Sequence, residues 1–358
     1  MSPRRALLLL LAAAFVLRFA LALALPNEIW PDEIFQTQEQ GHRIAFGYGV
    51  VPWEFRVGAR SYLLPGVLAA AFRLGEGLAP APWGHVGAAA ALLSALAVAP
   101  VVLAYTLVSR RHGPRLALLA AFATAVSFHL VYFAPKALSE VVGAHLLLLA
   151  LVAFPREGAR AALGLGLLAG SAVAVRLHLA PVAGTLLLAT LAPRVFGGPP
   201  RDRRQLACAL GGFALPLVGA GLLDHLTWGA PFASYVRTWT VNVQQGKAAQ
   251  FGVAGPLAYL EAALGVWGLA LLPFVALVAL GARAFPLPAL LGGIHLVVHS
   301  ALGHKEWRFV YPAFALFELC AAAGLAELVA LLGRRYGDVV ARRAPAVAGL
   351  LALGVSLA

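Results

Sequence analysis

Charge is scarce in this 358-residue chain, where Asp, Glu, Lys and Arg make up 12% of residues and hydrophobic residues 61%. Roughly a quarter of a soluble domain is charged, so a soluble globular protein is excluded. The few charges also cluster, leaving apolar stretches of roughly 18 to 22 residues, the length that crosses a bilayer as a helix. Strict alternation of polar and apolar residues is missing from runs such as 6–17 and 146–153, which excludes a transmembrane β-barrel. What remains is an all-α, polytopic membrane protein. Lysine, methionine and asparagine are nearly absent, at three, one and two residues against 24 Arg. We attribute this bias to a GC-rich bacterial genome, and Lys136, Lys247 and Lys305 stand out against it. An ammonium and a guanidinium are not interchangeable at a tight site. The two cysteines, Cys208 and Cys320, lie inside apolar runs without a CxxC pattern, as core packing residues do.

A net charge of +12 would suit nucleic-acid binding. Here, however, the basic residues are scattered between apolar segments, as in the cytoplasmic loops of an integral membrane protein, and no nucleic-acid partner is expected. Arg4 and Arg5 precede an apolar run to Leu25 that is too long for a signal-peptide core and lacks a small-x-small cleavage site. It reads as a first membrane helix with its N-terminus inside. Residues 26–61, with Glu28, Asp32, Glu33, Glu39 and Glu54, form a large first external loop. Basic clusters at Arg110, Arg111 and Arg115, at Arg156 and Arg160, at Arg194 to Arg204, at Arg283, and at Arg334 to Arg343 are cytoplasmic by the positive-inside rule. Alternation then places 134–140, 176–179, 224–259 and 303–308 outside. Within 62–115 the segments 62–78 and 86–108 both look able to span, although the flanking loops demand an odd number of crossings. About 10 to 12 segments are expected, in one integral-membrane domain over 1–358 without internal repeats.

Three constellations could carry chemistry. Residues 30–39, Trp-Pro-Asp-Glu-Ile-Phe-Gln-Thr-Gln-Glu, place two adjacent carboxylates at a membrane surface, where mutual repulsion and lost hydration favour a general base. The same Pro-Asp-Glu also suits a helix start. His304-Lys-Glu-Trp-Arg-Phe309 opens an apolar helix at an external end, and its cations are suited to phosphate. An interfacial belt of Lys, Arg and Trp would look similar but has no need of the His and Glu. The loop 224–259 gathers Trp228, Trp239, Asn242, Gln244 and Gln245, which suit a hydroxylated ligand or an ordinary membrane interface. Arg176 is a lone cation between apolar runs, and such residues have a role or a partner. His295 and His299 share a helix face without a third ligand, so no metal site and no cofactor is expected.

In order and spacing, Trp30-Pro-Asp-Glu-x-x-Gln-x-x-Glu, Phe46-Gly-Tyr-Gly-x-x-Pro-Trp-Glu, Arg60-Ser-Tyr-Leu-x-Pro and His304-Lys-Glu-x-Arg-Phe-x-x-Pro resemble glycosyltransferase family 22. These are the GPI-anchor and N-glycan (ALG-type) mannosyltransferases, which use dolichyl-phosphate-mannose. The stretch from Asp224 through Asn242 to Gly252 is similar to the family's loop. The resemblance implies a GT-C fold with its active site beside the first external loop. It implies catalytic roles for Asp32 as base and Glu33 as helper or alternative, and a donor-phosphate motif over 303–312 with His304, Lys305 and Arg308. It also implies substrate contacts at Gln36, Glu39, Trp53, Glu54, Arg60, Asp224, Asn242 and Glu306, to which the lone Arg176 is added from its setting between apolar runs. Two departures stand out: Trp30 occupies the place of the family's usual His, and the chain is shorter than eukaryotic members, which implies acceptor-binding parts that are reduced or supplied by another protein.

The expected reaction is inverting transfer of mannose from a polyprenyl-phosphate donor to a periplasmic glycan or glycolipid, at a bacterial inner membrane and among membrane lipid. Such a donor carries an anionic leaving group, so its departure needs charge stabilisation rather than a proton. The acceptor hydroxyl needs a base. Rival readings are the same fold with another sugar, such as arabinose or glucose, and a transporter or flippase. Transporters favour internal repeats and charges near the midplane, whereas these acids sit in one external loop.

Overall fold

The computed structural model describes residues 1–79 and 81–357. Among them every regular element is helical and no strand occurs. The chain opens with α1 (Pro3–Ala24), followed by the short α2 (Glu39–Phe46) and α3 (Trp53–Arg56) and then α4 (Leu63–Glu76). Next come α5 (Trp83–Leu96), α6 (Ala99–Val126), α7 (Phe128–Phe133), α8 (Ser139–Ala153), α9 (Ala159–Val175), α10 (Ala180–Ala189) and α11 (Arg203–Trp228). The last third holds α12 (Ala233–Trp239), α13 (Ala258–Trp267), α14 (Leu271–Ala284), α15 (Pro286–Ala301), α16 (Tyr311–Tyr336) and α17 (Asp338–Leu357). Among the described residues five helical stretches are long and apolar enough to cross a membrane: Pro3–Ala24, Trp83–Val126, Arg203–Trp228, Ala258–Ala284 and Trp307–Tyr336.

Within 62–115 every residue but Pro80 is among the described residues. Helix α4 has 14 residues, about 21 Å at 1.5 Å per residue and short of an about 30 Å hydrocarbon core. It packs on α2 and α5 instead of traversing alone. Helix α6 is two arms joined at Gly113, whose φ of 75° a side-chain-bearing residue rarely adopts. Pro114 begins the second arm. Helix α5 and the first arm of α6 thus follow one another up to the basic turn at Arg110 and Arg115.

The main core lies between α6, α8, α9, α10 and α16, around Leu103, Leu148, Leu165, Leu186 and Leu319. Lipid offers no hydrophobic drive between helices, so close association needs small residues that let backbones touch. Helices α9 and α11 meet through Gly166, Gly170 and Gly212, and α14 meets α16 through Gly281 and Gly324. A Cβ on Gly281 would stand 1.9 Å from the Cys320 carbonyl oxygen, and one on Gly324 2.0 Å from that of Leu277. Neither backbone can swing aside as a flexible side chain would. Gly281→Val is therefore expected to cost more than about 3 kcal/mol, at the upper end for point changes, and to abolish the monodisperse peak in size-exclusion chromatography; a wild-type profile would refute this packing. Cys320 is buried, Cys208 half-buried, and both are free thiols.

Candidate functional site

One end of the bundle collects the charges that the sequence distributes. Asp32 starts a π-helical turn, Glu33–Gln38, a form that occurs mostly as short insertions at functional positions. Trp30 anchors the turn by stacking on Phe133, with ring centroids 5.3 Å apart, and so acts as a packing group. From the other end of the chain, Arg308 reaches back across 276 residues, and its Nη2 donates to Asp32 Oδ2 at 2.5 Å.

Arg308 is the hub. Its Nη1 donates to Glu140 Oε1 at 3.0 Å, its Nε to Glu306 Oε2 at 2.6 Å, and Nη2 also reaches Glu306 Oε1 at 3.0 Å. The guanidinium fork is suited to several carboxylates at once, as a compact ammonium is not. Arg176 Nε lies 3.6 Å from Glu140 Oε2, which also accepts from Ser139 Oγ at 2.9 Å. Arg308 and Glu140 are buried, whereas the Asp32 side chain is 29% exposed and therefore reachable. Arg60 joins the group electrostatically: burial beside Arg176 lowers it to about 10, against the pull of Asp32, Glu54 and Glu140.

Glu33 faces another way. Its Oε1 accepts from the Ala137 backbone N–H at 3.0 Å and its Oε2 pairs with Lys136 Nζ at 3.3 Å. Burial raises its pKa despite that lysine. The two neighbouring carboxylates thus occupy different environments, Asp32 at the open edge and Glu33 inside.

In the 303–312 motif, His304 bridges Gly252 O at 2.9 Å and Glu306 Oε1 at 3.1 Å, tying the 224–259 loop to the cluster. Burial would raise Glu306, but the Arg308 hydrogen bonds and charge, with His304, hold it below 4.5. A depressed acid adds stability above its unfolded value and loses it as pH falls through the folded one. The melting temperature of Glu306→Gln is therefore expected to fall less than that of wild type on acidification below 4.5, as differential scanning fluorimetry across pH would show; parallel profiles would contradict this. Lys305 turns from the cluster, donating to the carbonyls of Ser300 (3.0 Å) and Leu302 at the end of α15, with its ammonium over the Tyr259 ring.

The remaining expected contacts divide. Gln36 Nε2 donates to Glu54 Oε1 at 2.8 Å beside the cluster. Glu39 accepts from the Val50 backbone N–H at 2.5 Å and closes its own loop. Trp53 lies under Lys247 Nζ, 5.0 Å from the ring centroid. Asp224 is fully buried and holds the first turn of α12 through Ser234 N and Oγ, at 2.8 and 2.6 Å. Asn242 is half-buried in the π-helical turn Thr240–Gln244. Among the described residues no group of three or more His, Cys, Asp or Glu side chains is arranged for a metal ion.

Sequence reading missed Glu140, although a lone acid opening an apolar helix at an external end was the available signal. It also missed a support beneath the motif. The Trp307 indole can only donate, and it does so to His129 Nε2 at 3.2 Å. The His129 proton therefore sits on Nδ1, facing Glu318 Oε1 at 2.5 Å, and Ser127 Oγ donates to the same carboxylate. Glu318 is an isolated acid in the middle of α16, which could have marked it.

Comparison with solved structures gives the fold. ArnT from Cupriavidus metallidurans bound to undecaprenyl phosphate superposes with a TM-score of 0.62 at 16% identity, covering 98% of this chain and 76% of that one. The apo state of the same protein gives 0.60. The GT-C glycosyltransferase fold expected from the motifs is the fold observed. In sequence, the GPI mannosyltransferase 3 of Yarrowia lipolytica is 28% identical over 323 residues, 89% of this chain and 62% of that protein. The mouse GPI alpha-1,2-mannosyltransferase 3 is 28% identical over 344 residues, 91% of this chain and 61% of that one. The chain thus spans about three fifths of the length of these relatives. Residues 9–356 match the Alg9-like mannosyltransferase family. With nearly its whole length matched, this multi-pass membrane protein belongs to the Alg9-like mannosyltransferase family.

Proposed function

We propose that this chain transfers mannose, with inversion, from a polyprenyl-phosphate-mannose donor to a glycan or glycolipid at the periplasmic face of a bacterial inner membrane. The observation that carries this reading is the contact between Asp32 and Arg308, which joins a partly exposed carboxylate and a fixed guanidinium in one external site. The comparisons add support: the relatives are named mannosyltransferases, and the similar ArnT structure holds undecaprenyl phosphate.

The acceptor oxygen attacks the anomeric carbon as its proton passes to Asp32. The bond from that carbon to the phosphate oxygen breaks on the opposite face, and its electron pair leaves with the phosphate. Arg308, with His304 and Arg60 nearby, stabilises the departing anion; Lys305 joins them on releasing the carbonyls of α15. Donor binding and base readiness are then coupled, because the arriving phosphate competes with Asp32 for Arg308 and frees the carboxylate. Gln36, Glu54, Arg176, Glu140 and Glu306 orient these groups, Glu33 fixes the loop that carries Asp32, and Glu39, Trp53, Asp224 and Asn242 shape the acceptor side.

The test is transfer of radiolabelled mannose from synthetic polyprenyl-phosphate-mannose by purified protein, supplied with membrane lipid extract as acceptor. A labelled lipid or glycan formed with inverted configuration is expected. A bound donor that is never transferred to any extract, or transfer with retention, would overturn the proposal.

A further inference from the structure

At the face opposite the candidate site, four cytoplasmic-side turns meet around a cavity of about 290 Å³. Its walls are mostly apolar, built by Leu107 of α6, Leu151 and Phe154 at the end of α8, Phe196 after α10 and Phe285 between α14 and α15. Arg110 and Arg111 also line it, and both are exposed. Arg110 holds the Pro155 carbonyl through Nη1 at 2.6 Å, and Arg111 pairs through Nε with Glu327 at 2.5 Å. Each guanidinium has five donors in a planar fork, so donors remain on both. Behind Phe154, Arg201 donates to that residue's carbonyl at 2.8 Å, while its Nε and Nη1 are buried without a partner.

An apolar slot with cations at its mouth selects an amphiphile with an anionic head. Water alone is a poor occupant, since a bound water needs two to four polar partners. At about 30 Å³ per water-sized group, the volume holds roughly ten such groups, a substantial part of an acyl chain. A soluble sugar or nucleotide phosphate would find cations but no hydrogen-bonding wall for the rest of the molecule. Basic pockets between membrane helices on the cytoplasmic side are suited to anionic lipid head groups. We infer that this cavity binds an anionic phospholipid of the cytoplasmic leaflet, with its phosphate between Arg110 and Arg111 and an acyl chain along Leu107, Leu151 and Phe196. The lipid would tie together turns that are otherwise far apart in sequence. This inference does not depend on which sugar the external site transfers.

The test is native mass spectrometry of the intact protein released from detergent with phosphatidylglycerol, phosphatidylcholine or inorganic phosphate, alongside Arg110→Gln/Arg111→Gln and Leu107→Trp. Wild type is expected to retain phosphatidylglycerol at least fivefold over phosphatidylcholine. Both variants should lose that preference while remaining folded and monodisperse in lipid-free detergent and keeping the wild-type affinity for polyprenyl phosphate. Equal retention of the two lipids, or a preference that survives both variants, would overturn the site. Binding of inorganic phosphate as tight as that of the lipid would reduce it to a free-anion site and overturn the lipid assignment.

Discussion

Asp32→Asn is expected to lower the rate constant for mannosyl transfer by about 10² to 10⁴, the contribution of a positioned general base, while donor affinity is unchanged or rises. The substitution keeps size and removes one anion from Arg308, which retains Glu140 and Glu306 as partners. The arriving phosphate then meets less competition, so a tighter donor Kd with collapsed kcat is the signature that separates a base from a residue that only holds the fold. Single-turnover kinetics and donor titration on the same preparation check both arms. Turnover close to wild type would remove Asp32 from this role. Glu33→Gln is the informative control, because the buried Glu33 is engaged by Ala137 and Lys136 and should affect stability more than the proton transfer.

Arg308→Lys is expected to lower kcat/KM by about 10² with the protein still folded. The charge is kept, but an ammonium cannot hold three carboxylates and present a fork to phosphate, and losing one oriented donor to developing charge costs about 10² to 10³ in rate. Arg308→Ala should cost more, because breaking a buried ion pair leaves uncompensated charge worth about 3–5 kcal/mol, and little folded protein is expected. Kinetics with melting temperatures in parallel distinguish the two effects. A lysine variant as active as wild type would show that a point charge suffices and that the fork geometry has no part in the reaction.

Much of this was legible in the residues. Scarce charge and long apolar runs dictate membrane helices, because backbone groups in lipid can be satisfied only within a helix or a closed barrel. Arginine clusters dictate which turns lie together on one side, and Trp30-Pro-Asp-Glu and His304-Lys-Glu-x-Arg mark the two halves of a site. Spacing along the chain could not say which charges meet. Glu140 stood in the sequence as a lone acid opening an apolar helix, with nothing to name Arg308 and Arg176 as its partners, and Lys305, the cation that a rare-lysine argument favours, turns to the carbonyls of α15. Asp224, similar to a family loop residue, caps α12. Gly281 and Gly324 showed their purpose only when two backbones met across them.

The sequence by itself determined the helical class, the membrane setting and the pair of motifs, since each follows from local composition and periodicity. Only the tertiary structure decided that Arg308 faces Asp32, Glu140 and Glu306 together, and that Glu33 is buried beside Lys136. Those pairings leave Asp32 at a partly exposed edge and Glu33 inside, and they join residues brought together by helix packing from distant parts of the chain, which no local pattern encodes.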